Sequence, residues 1–525
     1  MGGWLIFAFL VATAVLAIVS KRLGIAYPIV FVVAGALLGF VPNLPRIELQ
    51  PDTIFLIVLP IILFGAAWTT DLVELKRNLR PVSLLAIGLV IFTTVTVAAI
   101  AHAVIAGMTW PAAFTLGAII APTDAIAAES IAEGMAVPRR IVAIMSGESL
   151  VNDASSLIVY RFAIAAGVSG AFVAGSVIPQ FFIVSIGGIV VGLLMGIAVH
   201  GIQKLLRRRD LDDEVLVNIV NLFAPFASYL PAEALGVSGV LSTVACGIYV
   251  SRRSGVLSPD ARIVGYSIWE MLTYLLNAFV FLLLGLQLHG IVTSIGVASL
   301  GRLAGYGLVI SIAAIALRFI WLYPATYLPR WLIRRIGERD PSPPWQWPFL
   351  LGWSGMRGIV SLAAALAVPL TFPSRNEIIF VTFCVIFATL VVMGLTLPLV
   401  IRMLAVYDDG RMERKEIEIR IKALERGLER LRTLEPNFDT EVEWEVEGRI
   451  LDEYRHRIEH LVGHLDGAVA GAAAENAVDH RLQNEALSAE RQAIQEMRRS
   501  GAIPDDIFRH IERDLDLADA RLRQA

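Results

Sequence analysis

Long apolar runs separated by short polar links fill the first 404 residues, and the pattern changes abruptly beyond them. A helix needs about 20 apolar residues to cross ~30 Å of hydrocarbon. Thirteen stretches between residues 3 and 404 approach that length, which predicts an all-α polytopic membrane domain over residues 1–404. After it, Ile417, Ile421, Leu424, Leu428 and Leu431 recur at alternating spacings of four and three, a heptad-like stripe for a helix covered on one side only. Pro436 and Pro504 punctuate the rest of the chain. Residues 405–525 are therefore expected to form a charged helical tail in water.

Composition sharpens that division. The chain is 56% apolar and 17% charged, where a soluble domain carries about a quarter charged residues. Residues 1–404 hold 25 Lys and Arg against 19 Asp and Glu, whereas 405–525 hold 19 against 28, giving +6 and −9. A nucleic-acid binder, a secreted disulfide scaffold and a single soluble enzyme domain are all disfavoured. Cys246 and Cys384 lie inside apolar runs without metal-ligand spacing, so neither a disulfide nor structural zinc is implied, and no cofactor is expected. The first 20 residues lack a basic leader and precede Lys21 and Arg22, as in a retained first span.

Basic residues orient the domain, because Lys and Arg collect on the cytoplasmic side of short loops. The six odd-numbered loops hold 18 of them, among them Arg80, Arg140 and Arg330, while the even loops hold Arg46, Arg302 and Arg375. This alternation predicts an N-terminus outside a cell membrane and the acidic tail in the cytoplasm.

Charged side chains inside the spans stand out, since each costs about 2.5–3.5 kcal/mol at the bilayer centre on insertion scales. Asp124 falls in the fifth stretch, Glu148, Asp153 and Arg161 in the sixth, Glu270 in the tenth, Arg318 in the eleventh and Arg357 in the twelfth. At 1.5 Å per residue, Asp124, Asp153 and Arg357 converge on one level near the midplane. Pro122 interrupts the fifth stretch, and Gly352-Trp353-Ser354-Gly355-Met356-Arg357-Gly358 weakens the twelfth. Broken backbone in hydrocarbon survives only where protein buries it or a cavity hydrates it, and paired breaks mark transporter sites. The breaks are seven spans apart, so two six-helix repeats would run in opposite directions.

The sixth stretch supplies Gly147-Glu148-Ser149-Leu150-Val151-Asn152-Asp153, with Ser149 and Asp153 on one face and Glu148 and Asn152 on its neighbour. A carboxylate beside hydroxyl and amide oxygens suits a hard monovalent cation. When partly desolvated it also holds a proton near neutral pH. Proton and cation would compete for Asp153, and alternating access would turn the competition into exchange, most simply one for one unless Asp124 adds to the count.

Pro122-Thr123-Asp124, Gly147 to Asp153 and Gly355-Met356-Arg357-Gly358, each in its proper span, resemble the monovalent cation:proton antiporter-1 family of NhaP/NHE-type exchangers over about 400 residues. The resemblance implies thirteen spans in two inverted six-helix repeats with crossed, discontinuous fifth and twelfth helices, a homodimer, and electroneutral exchange of Na+, or Li+ or K+, for H+ by an elevator-like motion. It casts Asp153 as the ion- and proton-binding carboxylate, with Thr123, Asp124 and Ser149 as cation ligands. Asn152 becomes the neutral partner, Glu148 the acid paired with Arg318, and Arg357 the charge that offsets helix ends at the crossover. The tail resembles bacterial members only loosely; it offers a surface for a regulator or for self-association.

Other readings remain. Asp153 and Asp124 could be glue, paired with Arg357 or Arg318. Arg161 is explained by snorkelling to the outer face, and Asn218, Asn221 and Asn277 by helix–helix hydrogen bonds. His456, His460 and His464 share one face of the tail, as exposed histidines or as a pH or metal sensor. No GxxxxGK[ST] loop occurs, so transport would be secondary. A cation channel could use the same carboxylates. The run Gly352-Trp353-Ser354-Gly355 also resembles the GxSG of rhomboid-type intramembrane proteases, with His102 as the base.

Overall fold

The computed structural model describes residues 2–42, 50–169, 174–211, 213–295, 297–333, 338, 340–408, 410–433, 441–466, 470–500 and 505–524. Among the described residues all regular elements are helical. Helices occupy each of the apolar stretches: α1 (Gly2–Leu23), α2 (Tyr27–Leu38), α3 (Pro51–Thr69), α4 (Leu79–Val104), α5a (Trp110–Ile120), α5b (Ile126–Glu133) and α6 (Arg139–Ser169). The second half comprises α7 (Ala174–Arg208), α8 (Glu214–Ala234), α9 (Gly239–Arg252), α10 (Pro259–Ile295), α11 (Val297–Leu332), α12a (Gln346–Trp353), α12b (Ile359–Leu366) and α13 (Arg375–Leu404).

Among the described residues, seven helices, in α3, α4, α7, α8, α10, α11 and α13, are long and apolar enough to cross a membrane. Helix α6 has 31 residues but carries Glu148, Asp153 and Arg161 along its length, and α2 and α5a are shorter apolar helices. Asp213 and Ser238 start α8 and α9 by accepting from backbone amides two or three residues on, so both starts satisfy donors that a helix N-terminus leaves unpaired.

Four apolar clusters are buried among the described residues of this body. The largest joins α4, α5a, α5b, α6, α11, α12a, α12b and α13, with α2 and α10 packed against them. Another gathers Phe64 and Trp68 of α3, Cys246 and Val250 of α9 and Trp269 of α10. Helices α2 and α10 approach so closely that a Cβ on Gly35 would lie 2.2 Å from the Leu282 carbonyl oxygen, the small-residue contact expected where lipid gives helices no hydrophobic reason to associate.

The odd loops come together as their charges demand. Arg80 at the start of α4, Arg140 at the start of α6 and Arg330 near the end of α11 all reach Asp340, at 3.2, 2.7 and 2.6 Å. Arg46, Arg334, Arg335 and Arg339 lie outside the described residues. Arg161 departs from expectation: its guanidinium makes two hydrogen bonds to the Glu233 carboxylate, at 2.9 and 2.7 Å, and joins α6 to the end of α8.

Residues Asp409–Ala525 form a separate compact unit of α14 (Arg411–Arg432), α15 (Glu441–Asp466), α16 (Ala470–Arg499) and α17 (Asp505–Gln524). Ile417, Ile421, Leu424, Leu428 and Leu431 are the sheltered side of α14, which packs on α15, and their polar neighbours are exposed. His456 is exposed. Pro436 and Pro504, and the side chains of His460 and His464, lie outside the described residues.

Candidate functional site

Local sequence breaks two helices and tertiary contact rejoins them. Helix α5a stops at Ile120, just before Pro122, and α5b resumes at Ile126; α12a stops at Trp353 and α12b resumes at Ile359. Backbone freed at one break is used by the other, for the Asp124 amide donates to the Met356 carbonyl at 2.7 Å. Four half-helix ends therefore meet inside the protein, each with unpaired backbone groups and a partial charge.

Charged side chains match those ends. Arg357, 2% exposed, donates through Nε to the Ile120 carbonyl at the C-terminus of α5a (3.2 Å), through Nη1 to Gly355 (2.6 Å) and through Nη2 to Ala314 (3.4 Å). Its own amide donates to the Thr389 hydroxyl at 3.2 Å. Arg318 donates through Nε to the Leu351 carbonyl in the last turn of α12a (3.0 Å). Both guanidiniums thus oppose negative helix ends. Asp124 sits at the positive ends: one carboxylate oxygen accepts from the Ile126 amide at 3.0 Å. The other lies against Gly358, the N-cap of α12b, where a Cβ would come within 1.8 Å of it.

Beside this crossing runs α6. Glu148 and Arg318, both with side chains 3% exposed, form a two-pronged pair at 2.5 and 2.9 Å. The Thr123 hydroxyl donates to Glu148 at 2.9 Å and accepts from the Asn152 amide at 3.1 Å, which leaves one lone pair unused. Asn152 also donates to the Thr123 carbonyl at 2.9 Å, and its own Oδ1 is buried with no partner. The Ser149 hydroxyl accepts from the Ala125 amide at 3.4 Å.

Asp153 is different. It is 9% exposed and within electrostatic reach of Asp124, and among the described residues its carboxylate has neither an ion-pair nor a hydrogen-bond partner. The structure brings Thr123, Asp124, Glu148, Ser149, Asn152, Arg318 and Arg357 into one connected set, with Asp153 beside it. Both nearby arginines are committed elsewhere, so neither is the counter-ion that a purely structural role for Asp153 requires.

Two contributors join the site beyond those expected: a threonine, which carries no signal in a span, and Glu129, a carboxylate five residues after Asp124 whose charge is itself the signal. Thr389 reaches Arg357 from a π turn in α13 (Ala388–Met393), a device frequent at functional sites. Glu129 on α5b accepts from the Ser146 hydroxyl and lies within electrostatic reach of Asp124. The glycines of the twelfth stretch serve chiefly for close approach: a Cβ on Gly355 would fall 2.4 Å from Cδ of Arg318. The protease alternative gains no support, because the Ser354 hydroxyl donates to Leu351 while His102 bonds the Met108 carbonyl and stacks on Trp110.

Paired broken helices crossing at buried carboxylates define a secondary transporter of the membrane. Comparison with known proteins gives the family: residues 6–403 match the model for the transmembrane sodium/hydrogen exchanger, and the chain belongs to that family. An uncharacterised Na+/H+ exchanger of Mycobacterium tuberculosis is 30% identical over 98% of this chain and 95% of its own length. A Bacillus pumilus sodium, potassium, lithium and rubidium/H+ antiporter is 31% identical over 77% of this chain and 63% of its own. The Na+/H+ antiporter ApNhaP of Aphanothece halophytica is 33% identical over 79% and 76%. Among solved structures, the sodium proton antiporter MjNhaP1 of Methanocaldococcus jannaschii shares the fold, with a TM-score of 0.58 at 19% identity over 77% of this chain and 98% of that one.

Proposed function

We propose that the protein exchanges a monovalent cation, Na+ in the first instance, for H+ across the cell membrane, and that both ions compete for Asp153. The observation that carries this is a buried carboxylate without a counter-ion beside the meeting point of two broken helices. A carboxylate so placed is stable only when a proton or a cation occupies it. Asp124, Ser149 and the remaining lone pair of Thr123 would complete the cation's oxygen shell. Asn152, neutral and tied to Thr123, adds no second charge, and Asp124 is held by the Ile126 amide at a positive helix end, so one proton for one cation is the stoichiometry, and transport is electroneutral. Glu148, Arg318 and Arg357 hold the half-helix ends in place.

On this account thirteen spans form two inverted repeats, the N-terminus lies outside, the tail lies in the cytoplasm, the protein works as a homodimer, and it serves pH homeostasis by alternating access rather than catalysis. The test uses purified protein in acid-loaded liposomes containing a pH dye, with Na+, Li+ and K+ added in turn to the wild type and to Asp153→Asn. Cation-stimulated dequenching in the wild type alone is expected; equal dequenching in both would remove Asp153 from the mechanism. Flux that saturates with cation and is strictly coupled to proton counterflow is expected, whereas uncoupled flux would mean a channel.

A further inference from the structure

The arginine cluster around Asp340 shares α6 and α11 with the ion site but lies at their ends, and none of its side chains bonds to a residue assigned to the site. Arg80, Arg140 and Arg330 stand at the ends of three helices, and Asp340 bridges them. Arg140 makes one further bond, from Nε to Asn78 at 2.9 Å, and Arg330 spends Nε on the Asp340 carbonyl at 3.1 Å. Arg80 is left with a buried Nε that has no partner. Burial works against the charge on Asp340, yet the guanidiniums of Arg140, Arg330 and Arg80 outweigh it and hold its carboxyl below the usual range. The cluster therefore keeps three positive charges against one negative at neutral pH.

These guanidiniums rim a groove whose remaining wall is apolar. Leu84 and Leu85 of α4, Ile144 of α6, Leu322 of α11, and Trp347 and Leu351 of α12a line it. The ends of all four helices meet here, on the side that the distribution of Lys and Arg assigns to the cytoplasm. A charged rim over an apolar trough matches neither a free anion, which has no use for the trough, nor an uncharged chain, which has none for the rim. Basic pockets between spanning helices on the cytoplasmic side are the setting in which anionic headgroups bind.

We propose that this groove binds an anionic phospholipid, its phosphate against Arg80 and Arg140 and one acyl chain along Leu84, Leu322 and Trp347. The site would clamp α4, α6, α11 and α12a together through a lipid. It stands apart from Asp153, so it can fail while the assignment of the ion site holds.

Native mass spectrometry of the solubilised full-length protein tests it, with phosphatidylglycerol and phosphatidylethanolamine of identical chains as probes. Wild type should retain phosphatidylglycerol preferentially, and Arg80→Gln combined with Arg140→Gln should lower that retention roughly tenfold or more. Ala325→Trp, which fills the groove and leaves every arginine in place, should lower it as well and provides an independent arm if the double variant folds poorly. Excess inorganic phosphate should not displace the lipid. Equal retention of both lipids by wild type, undiminished phosphatidylglycerol on a folded variant, or full displacement by phosphate would each overturn the proposal.

Discussion

Gly358 illustrates how much of the site rests on an absent atom. Its backbone is extended, so another residue could adopt the conformation, but a Cβ there would fall 1.8 Å from an Asp124 carboxylate oxygen. Gly358→Ala should leave the protein folded, by size-exclusion chromatography, and reduce cation-stimulated exchange on the order of 100-fold, as misplacing a reacting group by about 1 Å does; wild-type exchange would show that the position of Asp124 is immaterial. Glu148 and Arg318 behave as a unit. Glu148→Gln leaves a buried guanidinium uncompensated, a loss of about 3–5 kcal/mol when such a pair is broken, read as a lower melting temperature. Replacing both, Glu148→Leu with Arg318→Met, should recover much of it, because well-packed apolar groups replace buried pairs at little cost. Charges were legible at this scale because membrane burial makes each one conspicuous. The free Oδ1 of Asn152 and the bond from the Arg357 amide to Thr389 were not, since neither Asn nor Thr is unusual in a span.

Among elements, the break in α5 was readable from Pro122 alone, because a missing N–H is a local fact. The contact that closes it was not: the Asp124 to Met356 hydrogen bond crosses from one half of the chain to the other. Arg161 was legible as a charge toward the end of its span but not as a tie to α8, since its partner lies 72 residues away. That pair is half-exposed, with Arg161 at 47% and Glu233 at 26%. Exposed pairs are worth at most about 1 kcal/mol, so Arg161→Gln should lower stability by no more than that, and by less at high salt. A larger loss in thermal or denaturant unfolding would mean that this contact clamps α6 to α8.

At the scale of the whole molecule, the change in composition near residue 405 and the compact units Met1–Asp408 and Asp409–Ala525 fall within a few residues of each other. The membrane unit contains every residue assigned to exchange. A chain truncated after residue 410 should therefore exchange cations with an unchanged profile against cytoplasmic pH, and a shifted profile would restore a sensing role to the tail. Orientation is checked by His456→Cys, which a membrane-impermeant maleimide should label in inside-out vesicles and not in right-side-out ones. Competition between two ions for one carboxylate is the claim beneath all of this, and it has a direct measurement: the apparent KM for Na+ in proteoliposomes as the pH on the cation side is lowered. Such competition predicts a KM that rises in proportion to proton concentration while the maximal rate stays constant; a KM indifferent to pH would contradict it.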